Sequence, residues 1–297
     1  MKNIYELADI NKRKSALVIF LFIAFITLAS YFLAYSFGYD LSLVGFVLIF
    51  SGIISFASYY YSDRIILSIS SATPANREDH FEFYTVTENL VRVARIPQPR
   101  LFVIKDTAMN AFATGRDPQH AVVVVTTGLL SKLNRTELEG VVAHELSHIR
   151  NFDIRLMGIV TVLVGMLTLL ADILLRSRFR SSRGKNDSGQ IGIIIFIVGV
   201  ALALLSPLIA NLIKLAISRR REFLADASAV KLTRYPAGLA SALKKISKDT
   251  EPLEAANKAT AHLYISNPLK NTHSAIGWFA KAFNTHPPIG ERIKALS

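Results

Sequence analysis

Two neighbouring stretches of this chain, Ser15 to Tyr39 and Leu41 to Ser62, contain no charged side chain. Each is long enough to cross the roughly 30 Å hydrocarbon core of a bilayer as a helix. Lys2, Lys12, Arg13 and Lys14 precede the first stretch, as in a signal peptide. No small-residue cleavage site follows, however, and the second stretch begins at once after Gly38-Tyr39-Asp40, which predicts an uncleaved membrane hairpin. Tyr59, Tyr60 and Tyr61 fit the aromatic belt where the second span ends.

Two more apolar runs lie downstream. Leu156 to Ala171 is interrupted by Asp172 and extended by Ile173 to Leu175, and Ile191 to Ile213 contains Pro207, which membrane helices tolerate. The reading is therefore an integral membrane, mainly α chain with about four membrane helices. It divides into an N-terminal membrane hairpin (1–62), a first soluble part (63–155), a second hairpin (156–217) and a second soluble part (218–297). The hydrophobic share of 51% is concentrated in these apolar runs.

Charge sets the orientation. The basic N-terminus, the neutral turn at Gly38 and the Arg-rich stretch from Ser62 to Arg155 place the soluble parts on the cytoplasmic side of a multi-pass cell-membrane protein. Arg176, Arg178, Arg180, Arg183 and Lys185 would be exported if the second hairpin crossed fully, so a shallow or re-entrant hairpin stays open as an alternative. The net charge of +12 is explained by cytoplasmic flanks attracted to anionic lipid, and no nucleic-acid motif accompanies it. With no cysteine in the chain, any metal must be held by histidine and carboxylate.

Such a set is present in His144-Glu145-Leu146-Ser147-His148. An H-E-x-x-H sequence on a helix directs both imidazoles to one face, one turn apart, and places a glutamate where it can act as general base on a water at the metal. Thr136 and Glu139 read as a capping box for that helix, and Leu138, Val141, Val142, Leu146 and Ile149 supply an apolar face. Two histidines leave zinc short of ligands, and a catalytic site needs a third protein group plus an open position. Gly and His are missing at the third and sixth places after His148, where Asn151 and Ile154 stand, which argues against a metzincin. Glu137, Glu139 and Arg150 argue against a motif embedded in lipid.

Directly after the fourth apolar run comes Arg219-Arg220-Arg221-Glu222-Phe223-Leu224-Ala225-Asp226. On a helix Glu222 and Asp226 share a face, so Glu222 can bind metal while Asp226 accepts from a ligand histidine's other nitrogen. A juxtamembrane charge cluster on a solvated helix is the competing reading. Leu101 to Lys105 and His120 to Thr126 are β-branched runs, and Asn110, Ala111, Phe112 and Ala113 between them form a candidate strand whose edge can pair with an extended peptide. An ordinary core strand with Phe112 turned inward fits the same residues. His286, before Pro287-Pro288, is a candidate oxyanion donor, or else it caps a helix over Ile289 to Leu296.

Three of these blocks, His144 to Asp153, Arg221 to Asp226 and Asn110 to Gly115, together with Thr285 to Arg292, resemble the HtpX family of membrane zinc metalloproteases, relatives of the type I CAAX prenyl proteases. The likeness covers nearly the whole chain. It implies one zinc ion on His144, His148 and Glu222, Glu145 as catalytic base, and a role in degrading damaged or misassembled membrane proteins. The expected architecture is thus membrane helices joined to a zincin-like catalytic domain with a small β-sheet, acting on polypeptide substrates at the bilayer surface. A non-proteolytic zinc-stabilised scaffold or chaperone is the alternative from another class. A transporter has only Asp172 in its support.

Overall fold

The first apolar run forms α1 (Ile4–Phe37) and the second forms α2 (Ser42–Ile69), and the two helices pack against each other. Leu17, Phe20, Leu28, Phe46, Ile49 and Phe56 remain exposed on them, an apolar surface too large for water-facing helices. Among the described residues one helix, Val44–Ile69, is long and apolar enough to cross a membrane, with a mean hydropathy of 1.6. The computed structural model describes residues 4–37, 40, 42–163, 219–254, 260, 263–265 and 287–297. The fourth apolar run, the basic loop before it and most of the third run lie outside these residues. The start of the third run, 156–163, is helical, and Leu156, Ile159 and Val160 are buried.

Helix α2 continues past the expected end at Ser62. Asp63 pairs with Arg100, and Ile66 is fully buried, so the last turns of α2 belong to the soluble core. The expected β-branched runs supply most of a four-stranded sheet: β1 (Thr73–Pro74), β2 (Arg100–Ile104), β3 (Ala111–Thr114) and β4 (Val122–Thr126), in the order β1-β2-β4-β3. Strands β2 and β4 run parallel, and β3 pairs with β4 antiparallel with Phe112 opposite Val124. All of β4 is buried, as a central strand covered on both faces requires. Alternate residues divide two cores. Leu101, Val103, Ala111, Ala113, Val123 and Val125 face α3 (Phe81–Ala94) and α5 (Arg135–Arg150), while Ile104, Phe112, Val122 and Val124 face the end of α2 and the 156–162 segment.

Helix α5 starts two residues earlier than the Thr136–Glu139 capping box implied. Asn134 is the N-cap: its side chain accepts from the Glu137 amide at 3.0 Å, and Glu137 Oε2 accepts from the Asn134 amide at 2.8 Å. The short α4 (Thr127–Lys132) ends just before, leaving Asn134 extended and free to cap, whereas Thr136 already lies inside the helix. Beyond the helical segment that runs to 163, three more helices follow among the described residues: α6 (Arg219–Thr233), α7 (Pro236–Lys248) and α8 (Ile289–Leu296). Glycine lets α5 and α7 approach closely. A Cβ on Gly140 would stand 2.7 Å from the Leu239 nitrogen, and one on Gly238 would stand 2.6 Å from the Thr136 carbonyl oxygen. The contact clamps α5, which carries both motif histidines, against the rest of the domain.

Candidate metal centre

His144 and His148 lie one turn apart on α5, 1% and 5% exposed, with their Nε2 atoms 3.2 Å from each other. Helix α6 packs alongside α5 and brings in Glu222, which is 1% exposed. Its Oε2 is 3.6 Å from His144 Nε2 and its Oε1 is 3.5 Å from His148 Nε2. One ligand atom from each of the three residues falls within 4.8 Å of the others. The competing reading of Glu222 as a solvated surface charge does not describe this burial.

The outer nitrogens define the chemistry of the inner ones. His144 Nδ1 is 2.9 Å from Asp226 Oδ1, and His148 Nδ1 is 3.0 Å from Asp153 Oδ2. A carboxylate only accepts, so each Nδ1 donates, and both Nε2 atoms are left facing each other and Glu222. Two acceptor nitrogens beside a buried carboxylate call for a cation between them. Without a metal that cation is the proton: burial and the charge of Arg292 depress His144, but its bonds to Asp226 and Glu222 outweigh both, and its pKa is pushed up to about 9. Burial depresses His148 as well, and Asp153 and Glu222 again prevail, so its pKa is also raised. The donor set of two nitrogens and one carboxylate, each imidazole oriented from behind, fits zinc.

Each aspartate is itself gripped. Arg292 of α8, fully buried, donates to Asp226 through Nε at 2.9 Å and Nη2 at 2.7 Å. Burial raises the Asp226 pKa, but the bonds from His144 and Arg292 bring it down to about 2. On the other side Arg221 Nη1 donates to Asp153 Oδ1 at 2.9 Å. Sequence reasoning gave no role to Asp153, Arg221 or Arg292, although all three lie inside the blocks that carry the family resemblance. Asp153 is five residues beyond His148, after a chain reversal in which Phe152 adopts φ 59°, so helical periodicity does not mark it. Arg292 is 148 residues from His144, and no local pattern connects them.

Glu145 is buried at 3% exposure, close enough for its charge to act on Arg292. Strand β3 is one of the sheet's two outer strands and packs on α5. Thr126 donates to Asn110 O at 3.0 Å, so by antiparallel alternation Asn110, Phe112 and Thr114 turn their backbone groups to β4, and Ala111 and Ala113 turn theirs outward. The edge is not wholly open. Ala111 O accepts from Ile265 N at 3.0 Å, and the Ala111 amide donates to Asn110 Oδ1 at 3.1 Å. Phe112 points into the second core, edge-on to Tyr264 with ring centroids 5.0 Å apart. His286 lies outside the described residues. The cap expected of it is not what starts α8, whose N-cap is Pro288.

A mainly helical domain with a small mixed sheet, an H-E-x-x-H helix and a buried glutamate from a second helix defines a metallopeptidase of the membrane-associated kind. The family model described as "Peptidase family M48" matches residues 80–297. The chain is 44% identical over 300 residues to a "Protease HtpX homolog" of Thermoanaerobacter pseudethanolicus, covering 99% of this chain and 97% of the relative. It is 45% identical over 297 residues to one of Dictyoglomus thermophilum, covering 98% and 93%. Among solved structures it is similar to the crystal structure of S. mikatae Ste24p, with a TM-score of 0.50 and 20% identity over 99% of this chain and 67% of that one, a likeness of fold alone. The chain belongs to peptidase family M48. It is a membrane-bound metalloprotease, and the scaffold alternative is not favoured.

Proposed function

We propose that the protein is a zinc-dependent endopeptidase that cleaves extended segments of membrane or misfolded polypeptides at the cytoplasmic face of the cell membrane. The observation that carries this reading is the convergence of His144 Nε2, His148 Nε2 and Glu222 in a buried site, each imidazole tied at Nδ1 to a carboxylate. When bound there, zinc supplies Lewis acidity, polarising the scissile carbonyl and acidifying the attacking water. Glu145 removes that water's proton and passes it to the departing amine. Asp226 and Asp153 hold the two imidazoles in the tautomer with Nε2 free, and Arg292 keeps Asp226 ionised while it does so. Three converging protein groups among the described residues, rather than four, leave a coordination position for chemistry, which supports an enzyme over a scaffold.

The residues Asn110, Ala111, Phe112 and Ala113 are proposed to take the substrate as an added strand. Ala113 carries that role, because its outward N–H and C=O have no partner among the described residues while those of Ala111 are engaged. His286 is proposed to donate to the developing oxyanion. A multi-pass topology with the site in the cytoplasm is supported by the basic N-terminus and by the exposed apolar faces of α1 and α2.

The test is cleavage of an unfolded model protein by detergent-purified material, with zinc content measured in parallel. Glu145→Ala is expected to keep zinc and lose turnover, because the base is not a ligand. Near-parental turnover by that variant in a preparation free of other proteases would sink the assignment.

A further inference from the structure

Asn11 lies on α1 before the apolar run begins, yet it is 2% exposed. Its Nδ2 donates to the Asn151 carbonyl at 2.8 Å and to Asp153 Oδ1 at 2.7 Å. Its Oδ1 accepts from Arg221 Nη1 at 2.9 Å. Beside it, Lys12 Nζ stands 4.9 Å above the ring of Phe152, the residue whose φ of 59° reverses the chain after α5. The N-terminal helix is therefore fastened to the turn 151–153 at two successive residues.

This turn carries the aspartate that orients His148. Asp153 spends one oxygen on His148 Nδ1 and receives Asn11 and Arg221 on the other, so both oxygens are fixed inside a buried site. Removing the Asn11 amide takes away one of the two donors to Oδ1 and an acceptor of Arg221, whose Nη2 is already buried without a hydrogen-bond partner among the described residues. Asp153 can then rotate, and the His148 ring loses its support. The same arginine adjoins Glu222 on α6, so the amide ties α1, α5 and α6 together at the metal centre.

We propose that Asn11 is a positioning residue of the metal centre, acting through Asp153 on His148, and that the N-terminal membrane helix is thereby a structural part of the active site rather than only an anchor. The inference rests on the reading of His148 as a metal ligand. It means that whatever displaces α1, such as a change in the surrounding lipid, loosens one ligand directly.

The test uses the full chain in detergent, carrying Glu145→Gln to suppress self-cleavage. Zinc affinity is measured by competition with a chelator, and the visible absorption of the cobalt-loaded protein reports ligand geometry. Asn11→Leu fills the space without hydrogen bonds and Asn11→Ala leaves it empty, so agreement between them isolates the amide from packing. Both are expected to weaken zinc binding about 10-fold, the lower end for partners outside the ligand shell, and to shift the cobalt spectrum. Exposed Arg13→Ala is expected to do neither. Should Asn11→Leu fail to fold, Asn11→Ala still gives both readings. Parental affinity and an unchanged spectrum in the Asn11 variants overturn the proposal while leaving the zinc site intact. If His148→Ala binds zinc as tightly as the parent, the ligand assignment falls and this inference with it.

Discussion

His144 and His148 each donate a hydrogen bond through Nδ1 to a buried aspartate, and each aspartate is held by an arginine, but the two supports are built differently. On the His144 side Arg292 meets Asp226 with two nitrogens and is fully buried. On the His148 side Arg221 reaches Asp153 through Nη1 alone, its side chain is 13% exposed, and Asn11 of α1 completes the contact. The first support closes within α5, α6 and α8, while the second also draws on α1, whose later turns leave Leu17, Phe20 and Leu28 exposed. A bidentate, fully buried pair is geometrically more specific than a single-point one. The comparison teaches that the two imidazoles of one candidate metal site can be supported with unequal rigidity, the softer support being the one that includes α1.

Glu222 touches both sides, so its loss is expected to have the largest effect. Glu222→Ala should retain no zinc after dialysis and show no detectable proteolysis. Parental zinc content in that variant would show that the two histidines are completed by another group.

The inequality of the arginines is read in stability. Arg292→Met leaves Asp226 buried with His144 as its remaining partner, and breaking a buried ion pair typically costs about 3 to 5 kcal/mol. Arg221→Met should cost less, because Asn11 still donates to Asp153. Denaturant unfolding of the two variants checks the order, and equal losses would erase the distinction drawn here.

The aspartates come next. Asp226→Asn and Asp153→Asn should each lower zinc affinity by roughly 10- to 100-fold, with Asp226 the larger. Because the two imidazoles they orient converge on one site with Glu222, the double variant should depart from simple additivity. Strict additivity in chelator competition would mean that the two sides are independent.

Metal uptake should also depend on pH. With its pKa raised to about 9, His144 is protonated at neutral pH in the metal-free protein, and His148 is shifted the same way. Zinc needs neutral imidazoles, so loading at pH 7 should release protons, and apparent affinity should rise as pH climbs toward 9. Zinc titration in weakly buffered solution with a pH indicator measures this. Uptake at pH 7 without proton release would contradict it.

The smallest effect is expected at the start of α5, which carries both imidazoles. Asn134→Ala should cost about 1 kcal/mol as the loss of an N-cap, and Thr136→Ala less. Both sides should respond alike, with zinc affinity hardly altered. The reverse order of the two variants in thermal unfolding would restore the Thr136 box.

The sequence by itself determined what local geometry can encode. The two histidines share a face because one helical turn separates them, Glu222 and Asp226 share another for the same reason, and alternating and β-branched runs located the main strands before any contact was known. Uncharged stretches likewise marked α1 and α2. Capping was legible in kind but placed two residues late, because Asn134 and Thr136 offer similar side chains and only the end of α4 decides which one is extended. Tertiary structure alone decided that Asp153 turns back to His148, that Arg292 reaches Asp226 across 66 residues, and that Asn11 meets Asp153 across 142. Side-chain spacing along one helix is fixed by the helix itself, whereas contacts between distant helices exist only after packing has chosen which buried polar groups must satisfy one another.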